Sequence, residues 1–123
     1  MTPVSAANSF RIEWPVAKGY TICRPSGDLD MYSVSIFREA LADVAARARI
    51  VIDLSKVTFL DSAGLGALIG GIRHIREGHG QVAVTSTRPG VCRLLETTGF
   101  DRIVPICHTV DEAAGTFSSY DFI

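Results

Sequence analysis

Residues 50–54 read Ile-Val-Ile-Asp-Leu, apolar and mostly β-branched, with Asp53 the one polar side chain. A strand of that composition has no face to offer to water, so it belongs at the centre of a sheet covered on both sides. That requirement selects an α/β layer architecture, and the rest of the chain must supply the covering helices. From Ser33 onward Val34, Phe37, Ala40, Leu41 and Val44 recur at helical spacing, with Arg38, Glu39, Asp43 and Arg47 on the other side. Leu65, Leu68, Ile69, Ile72 and Ile75 make one face of a second helix, which ends near Gly78 and Gly80, where positive φ is free of steric cost. A third helix has Pro89 near its start, Val91, Leu94 and Leu95 facing inward and Gly99 at its end. Thr109 and Glu112 have capping-box spacing and open a fourth, through Ala113 and Ala114.

The remaining strands are short. Phe10, Ile12 and Trp14 alternate with Arg11 and Glu13, and Tyr20 and Ile22 alternate with Thr21 and Cys23, which predicts a hairpin turning at Gly19. Gln81–Ser86 supplies another strand, and residues 102–106, Arg-Ile-Val-Pro-Ile, a last one. The order β-β-α-β-α-β-α-β-α requires parallel crossovers from residue 50 onward. A chain of 123 residues, 47% hydrophobic, fills one such domain and no more. The expectation is a single α/β domain over residues 10–117, a mixed sheet of four to five strands against about four helices, with tails at 1–9 and 118–123.

Composition excludes several functions. The net charge of −1 comes without a run of like charges, which gives no footprint for nucleic acid or an anionic membrane. The first ten residues lack the basic and apolar parts of a signal peptide, and Asp61 and Arg73 interrupt the most apolar region well short of a membrane span. A cytoplasmic protein is expected. Cys23, Cys92 and Cys107 show no C-x-x-C spacing, so they read as buried fillers in a reducing compartment, with Cys92 and Cys107 the pair to consider for redox sensing. His74 and His79 miss the i, i+4 spacing of a helical metal site, and His108 stands alone, so no metal or other cofactor is expected.

Chemistry concentrates in residues 57–70, Val-Thr-Phe-Leu-Asp-Ser-Ala-Gly-Leu-Gly-Ala-Leu-Ile-Gly. Asp61 and Ser62 fall between the central strand's carboxyl end and the second helix, where open α/β sheets tend to place ligands. With Ser62 at or near the N-cap, its hydroxyl stands outside the core and flanked by unpaired N–H groups, where a phosphate meets the positive end of the helix dipole. Gly64 and Gly66 each cost the helix about 1 kcal/mol relative to Ala; they either pack against the sheet or keep side chains clear of an approaching partner. The bland alternative makes Ser62 a simple cap and Asp61 a turn residue. Asp28 and Asp30 either flank a metal or, in the simpler reading, cap the first helix. No catalytic residue is expected, because Leu60 breaks a G-x-S-x-G elbow, the glycines miss the dinucleotide spacing and no P-loop Lys follows them.

Three segments in order, Gly-Asp-Leu-Asp-Met-Tyr-Ser at 27–33, the Val51–Leu68 stretch around Asp-Ser-Ala-Gly-Leu, and Leu-Leu-Glu-Thr-Thr-Gly-Phe-Asp-Arg-Ile-Val-Pro-Ile at 94–106, give the chain a family resemblance. It resembles a STAS domain, in particular the small anti-sigma factor antagonists of bacteria. The resemblance implies a regulator without catalysis of its own. Its unphosphorylated form binds an anti-sigma factor that is also a Ser/Thr kinase of the GHKL type, and so frees the sigma factor; phosphorylation ends binding and a PP2C-type phosphatase resets it. By position Ser62 matches the phosphoacceptor, Asp61 the residue before it and Asp30 the neighbouring acid, with Asp28, Ala63, Gly64, Leu65 and Gly66 around them. A monomer or weak dimer is expected. The alternative is a STAS module that is not phosphorylated and binds a small ligand, or serves as a subunit in a signalling or lipid-transport assembly.

Overall fold

The computed structural model describes residues 10–117; the expected tails lie outside them. Six strands are β1 (Arg11–Glu13), β2 (Thr21–Leu29), β3 (Arg49–Asp53), β4 (Lys56–Leu60), β5 (Gln81–Thr85) and β6 (Ile106–Cys107). Four helices are α1 (Val34–Ala42), α2 (Ser62–Glu77), α3 (Pro89–Thr97) and α4 (Val110–Ala114). The sheet runs β1-β2-β3-β5-β6, with β4 also paired to β2. β1 is antiparallel to β2 and every other pairing is parallel, the mixed sheet that the βα alternation demands.

The central strand is β3, buried over its last four residues. Its alternation divides the core. Ile50 and Ile52, with Val82 and Val84 of β5, meet Phe37 and Leu41 of α1, Leu68 and Ile72 of α2, and Val91 and Leu95 of α3 in one large cluster. Val51 and Ala83 point the other way and meet Ala113 of α4 in a smaller one. Thus β3 is covered on both faces, as its composition requires, but by three helices on one side and a five-residue helix on the other.

Several boundaries differ from the sequence reading. β4 is an added strand: Ser55 and the polar Lys56 and Thr58 make residues 55–60 look like an approach to a turn, yet Lys56–Leu60 pair with β2. β2 runs through Pro25 and Gly27, both within the stretch 20–27 read as a strand, and continues two residues further to Leu29. Residues 102–106 are not a strand; Phe100–Arg102 form a 3-10 turn entered through Gly99 at φ 76, and pairing starts only at Ile106. Helix α2 ends at Glu77, and the positive φ beyond it, 63, belongs to His79, while Gly78 sits at −84. The Thr109–Glu112 capping box is present.

Candidate functional site

The ends of β2 and β4 build the site. Leu29 is the Cα partner of Leu60, so the residues that follow, Asp30 and Asp61, leave adjacent parallel strands side by side at their carboxyl ends. Asp61 is the N-cap of α2: its Oδ1 accepts from the Gly64 N–H at 2.9 Å. Ser62 is therefore the first helical residue, where the sequence reading puts the cap at or near it, and it is exposed. A carboxylate at the cap compensates the helix's positive end more strongly than a hydroxyl does, which frees the serine for other work.

Of the two roles its spacing allows, Gly64 has the packing one. It is buried, and a Cβ there would strike the Leu29 carbonyl oxygen and come within 2.7 Å of a Leu60 methyl. Glycine at 64 lets α2 start flush against the ends of β2 and β4, which holds Ser62 beside the β2–α1 loop. At Gly66, on the exposed side, an added Cβ would meet nothing within 4 Å. Ala63 and Leu65 are half-buried against the main core.

The neighbouring loop is held from inside. Ser33 is buried, its Oγ donates to the Asp28 carbonyl at 2.7 Å, and it accepts from the Asp30 N–H at 3.0 Å. Asp30 Oδ1 accepts from the N–H groups of Tyr32 at 2.9 Å and Ser33 at 3.2 Å, closing the turn before α1, whose N-cap is Ser33. Asp28 caps nothing; its Oδ1 accepts from the Thr58 hydroxyl at 2.7 Å. Sequence reasoning gives Ser33 and Thr58 no role at the site: Ser33 stands three residues after Asp30, and Thr58 meets Asp28 only through the pairing of β4 with β2.

None of Asp28, Asp30 and Asp61 forms an ion pair among the described residues, in contrast to Asp53 with Arg24 and Glu13 with Lys56. The surroundings of Ser62 are acidic without compensation. They also carry exposed apolar side chains: Met31 at 65%, Tyr32 at 81%, Ile36 at 46% and Phe59 at 52% of their full accessibility. Trp14, Val16 and Ile103 are exposed elsewhere on the domain, so it is the combination of apolar side chains with uncompensated carboxylates that marks this end as a surface to meet another protein.

The cysteines lie elsewhere, and all three are free. Burial pushes the Cys23 thiol up to about 12, which makes it inert at neutral pH. Cys107 packs with Val51 and Ala83 on the α4 face, and its thiol is raised by burial and then by Glu112. Cys92 rides on α3, whose inward residues join the main core on the opposite face, and its Sγ lies 3.4 Å from the Ser86 Oγ. Cys92 and Cys107 are not bonded to each other, and both neighbour Ser86, whose N–H donates to the Cys107 carbonyl at 3.1 Å. Among the described residues no three His, Cys, Asp or Glu side chains gather as a metal site, and no helix is long and apolar enough to cross a membrane.

A STAS domain family model matches residues 11–113. This chain belongs to the STAS domain family. Within it, the chain is 34% identical to an anti-sigma F factor antagonist of Paenibacillus polymyxa, over 80% of this chain and 86% of that protein. It is 30% identical to an anti-sigma-B factor antagonist of Listeria monocytogenes, over 73% and 81% of the two chains. The crystal structure of an anti-sigma factor antagonist from Mycobacterium paratuberculosis superposes with a TM-score of 0.78 at 30% identity, covering 88% of this chain and 92% of that one. The α/β fold and the membership in the anti-sigma factor antagonist group are thereby established for this STAS protein, with six strands and four helices in the described residues.

Proposed function

We propose that this STAS protein is a phosphorylation-controlled antagonist of an anti-sigma factor that is itself a Ser/Thr kinase. Unphosphorylated, it binds that partner through the Ser62 end and releases a sigma factor. With Ser62 phosphorylated the complex separates, and a PP2C-type phosphatase returns it to the binding form. The domain contributes a surface and a hydroxyl and no catalysis of its own, and it works in the cytoplasm, where sigma factors act.

One observation carries the reading: an exposed serine stands at the first position of α2, after Asp61 and across the paired strand ends from Asp30, and neither carboxylate has an ion-pair partner among the described residues. Phosphorylation adds about 1.5 to 2 negative charges there. The helix N-terminus receives them well in the free protein, whereas in an interface the same group is desolvated against a carboxylate. A penalty of about 2.8 kcal/mol weakens binding a hundredfold. No rearrangement of the fold is needed.

Ser62→Ala and Ser62→Glu baits side by side in native lysate test this, with mass spectrometry of bound proteins. A kinase-type anti-sigma factor held by the Ala bait and lost from the Glu bait is the expected result. Equal capture by both baits, or no such kinase on either, overturns the charge switch.

A further inference from the structure

The pairing of β4 with β2 contains an irregularity that decides which side chains face outward. Gly27 is opposite Val57, but the next residue, Asp28, is opposite Phe59, so Thr58 is an extra residue in β4. A bulge of this kind re-aims the side chains beyond it. Val57 points into the core, Thr58 and Phe59 both point out, and Leu60 points in again. Regular alternation would have buried Phe59 and exposed Leu60. The Thr58 hydroxyl donates to Asp28 at 2.7 Å and latches the bulge, while Gly27 at φ 103 accommodates it on the β2 side.

Phe59 thus stands out on a strand with an open edge. Among the described residues β4 pairs with β2 alone. The neighbouring strand β5 ends at Thr85, and the chain then turns off through Arg88 into α3. What remains between β4 and α3 is a groove of about 480 Å³, lined on one side by Thr58, Phe59 and Leu60 and on the other by Pro89, Val91 and Leu94. Arg88 closes one end: its Nε donates to the Ser55 carbonyl at 3.2 Å, and it has no acidic partner among the described residues. The far end of β4 leads directly into Asp61 and Ser62.

We infer that this groove receives an extended, carboxylate-bearing segment of the partner that reads Ser62, added as a strand to the open edge of β4. An exposed edge supplies main-chain hydrogen bonds, the mode by which sheets take up peptides. Phe59, Leu60, Val91 and Leu94 give the alternate side chains an apolar bed, and Arg88 selects a carboxylate at the closed end. The groove extends the surface around Ser62 into one continuous docking site. The identity of the donor rests on the proposed partner switching; the strand-accepting groove does not.

The test uses the isotope-labelled full chain and a capped pentapeptide, acetyl-Val-Asp-Val-Thr-Val-amide, followed by NMR. Expected are amide shifts confined to Thr58, Phe59, Leu60, Val91 and Leu94, with nuclear Overhauser contacts from the peptide backbone to β4. Loss of a charge-assisted contact costs about tenfold in affinity, so Arg88→Gln in the protein, or Asn for Asp in the peptide, is expected to weaken binding by about that factor. Phe59→Ala weakens it as well. Both variants change exposed side chains, and their spectra report whether the fold is kept. Absence of shifts at β4, binding indifferent to Arg88→Gln, or shifts at Arg88 without backbone contacts to β4 each overturn the strand reading. A kinase captured by Ser62→Ala with no peptide binding leaves the switch standing and removes the groove; peptide binding with no kinase captured does the reverse.

Discussion

Two aspartates close consecutive strands in this protein, and they are used in opposite ways. Asp53 ends β3 and is buried: Oδ2 accepts from Arg24 Nε at 2.8 Å, and Oδ1 accepts from the Thr85 hydroxyl at 2.8 Å and the Ser55 N–H at 3.0 Å. Asp61 follows β4, is half-buried, caps α2 and has no ion-pair partner among the described residues. The first carboxylate is compensated from within the fold. The second leaves its negative charge for whatever approaches, and the phosphorylatable hydroxyl is placed next to the second. A charge switch requires that arrangement, because an arginine at the site would absorb the added phosphate instead of letting it repel a partner.

Asp53→Ala breaks the comparison on its stable side, since it leaves the Arg24 guanidinium and the Thr85 hydroxyl short of partners. Removal of one member of a buried pair costs about 3 kcal/mol, read by urea unfolding, while Ser62-dependent binding is expected to persist in the folded fraction. The pH dependence follows from the same contacts. Burial raises the Asp53 carboxyl, but the hydrogen bonds from Ser55, Arg24 and Thr85 outweigh it and hold the group below its ordinary value. Its stabilisation is therefore complete above the ordinary carboxylate range of about 3.9 and is lost as pH falls through the lower folded value. The stability gap between the protein and Asp53→Ala should stay constant from neutral pH to about 5 and narrow on further acidification.

The two glycines of α2 sharpen the contrast between what builds the site and what borders it. Gly64→Ala pushes a methyl group into the Leu29 carbonyl and a Leu60 methyl, and overpacking of this kind costs about 2 kcal/mol. Gly66→Ala adds its methyl to open space and is expected to stabilise the helix by about 1 kcal/mol. Equal urea midpoints for the two variants would mean that α2 is not seated on the strand ends as described. Equal in size to the Gly66 effect and opposite in sign is Asp61→Ala, which removes the cap from Gly64 N–H at about 1 kcal/mol, read by the same urea unfolding.

What the sequence could show follows from which interactions are local. Helical periodicity from Val34 to Leu41, the β-branched run at 50–54 and the Thr109–Glu112 box are contained in short windows, and the structure has all of them. β4 is illegible because its bulge at Thr58 destroys the alternation that marks a strand, leaving Thr58 and Phe59 both outward. The exchange of roles between Asp61 and Ser62 needs only a one-residue shift of helix start, which composition does not resolve. Asp28 looks like a cap by spacing because the hydroxyl it binds, that of Thr58, arrives from a strand that no local pattern announces.

The smallest expected effect separates the switch from the fold. Ser62→Glu places a carboxylate at the first position of α2, where the helix dipole favours it by about 0.3 to 1 kcal/mol at an exposed site, and beside Asp61, which opposes it. The two terms oppose each other at an exposed position screened by solvent, so they nearly cancel and the urea midpoint should move by less than about 0.5 kcal/mol equivalent. The partner sees no such cancellation, because in the interface the dipole is still shared with Asp61 while the water that screened the new charge is gone. A variant as stable as the original and unable to hold its partner would locate the whole response at the surface. A large loss of stability would instead mean that phosphate acts by loosening the start of α2, and the compensated and uncompensated aspartates would then differ only in burial.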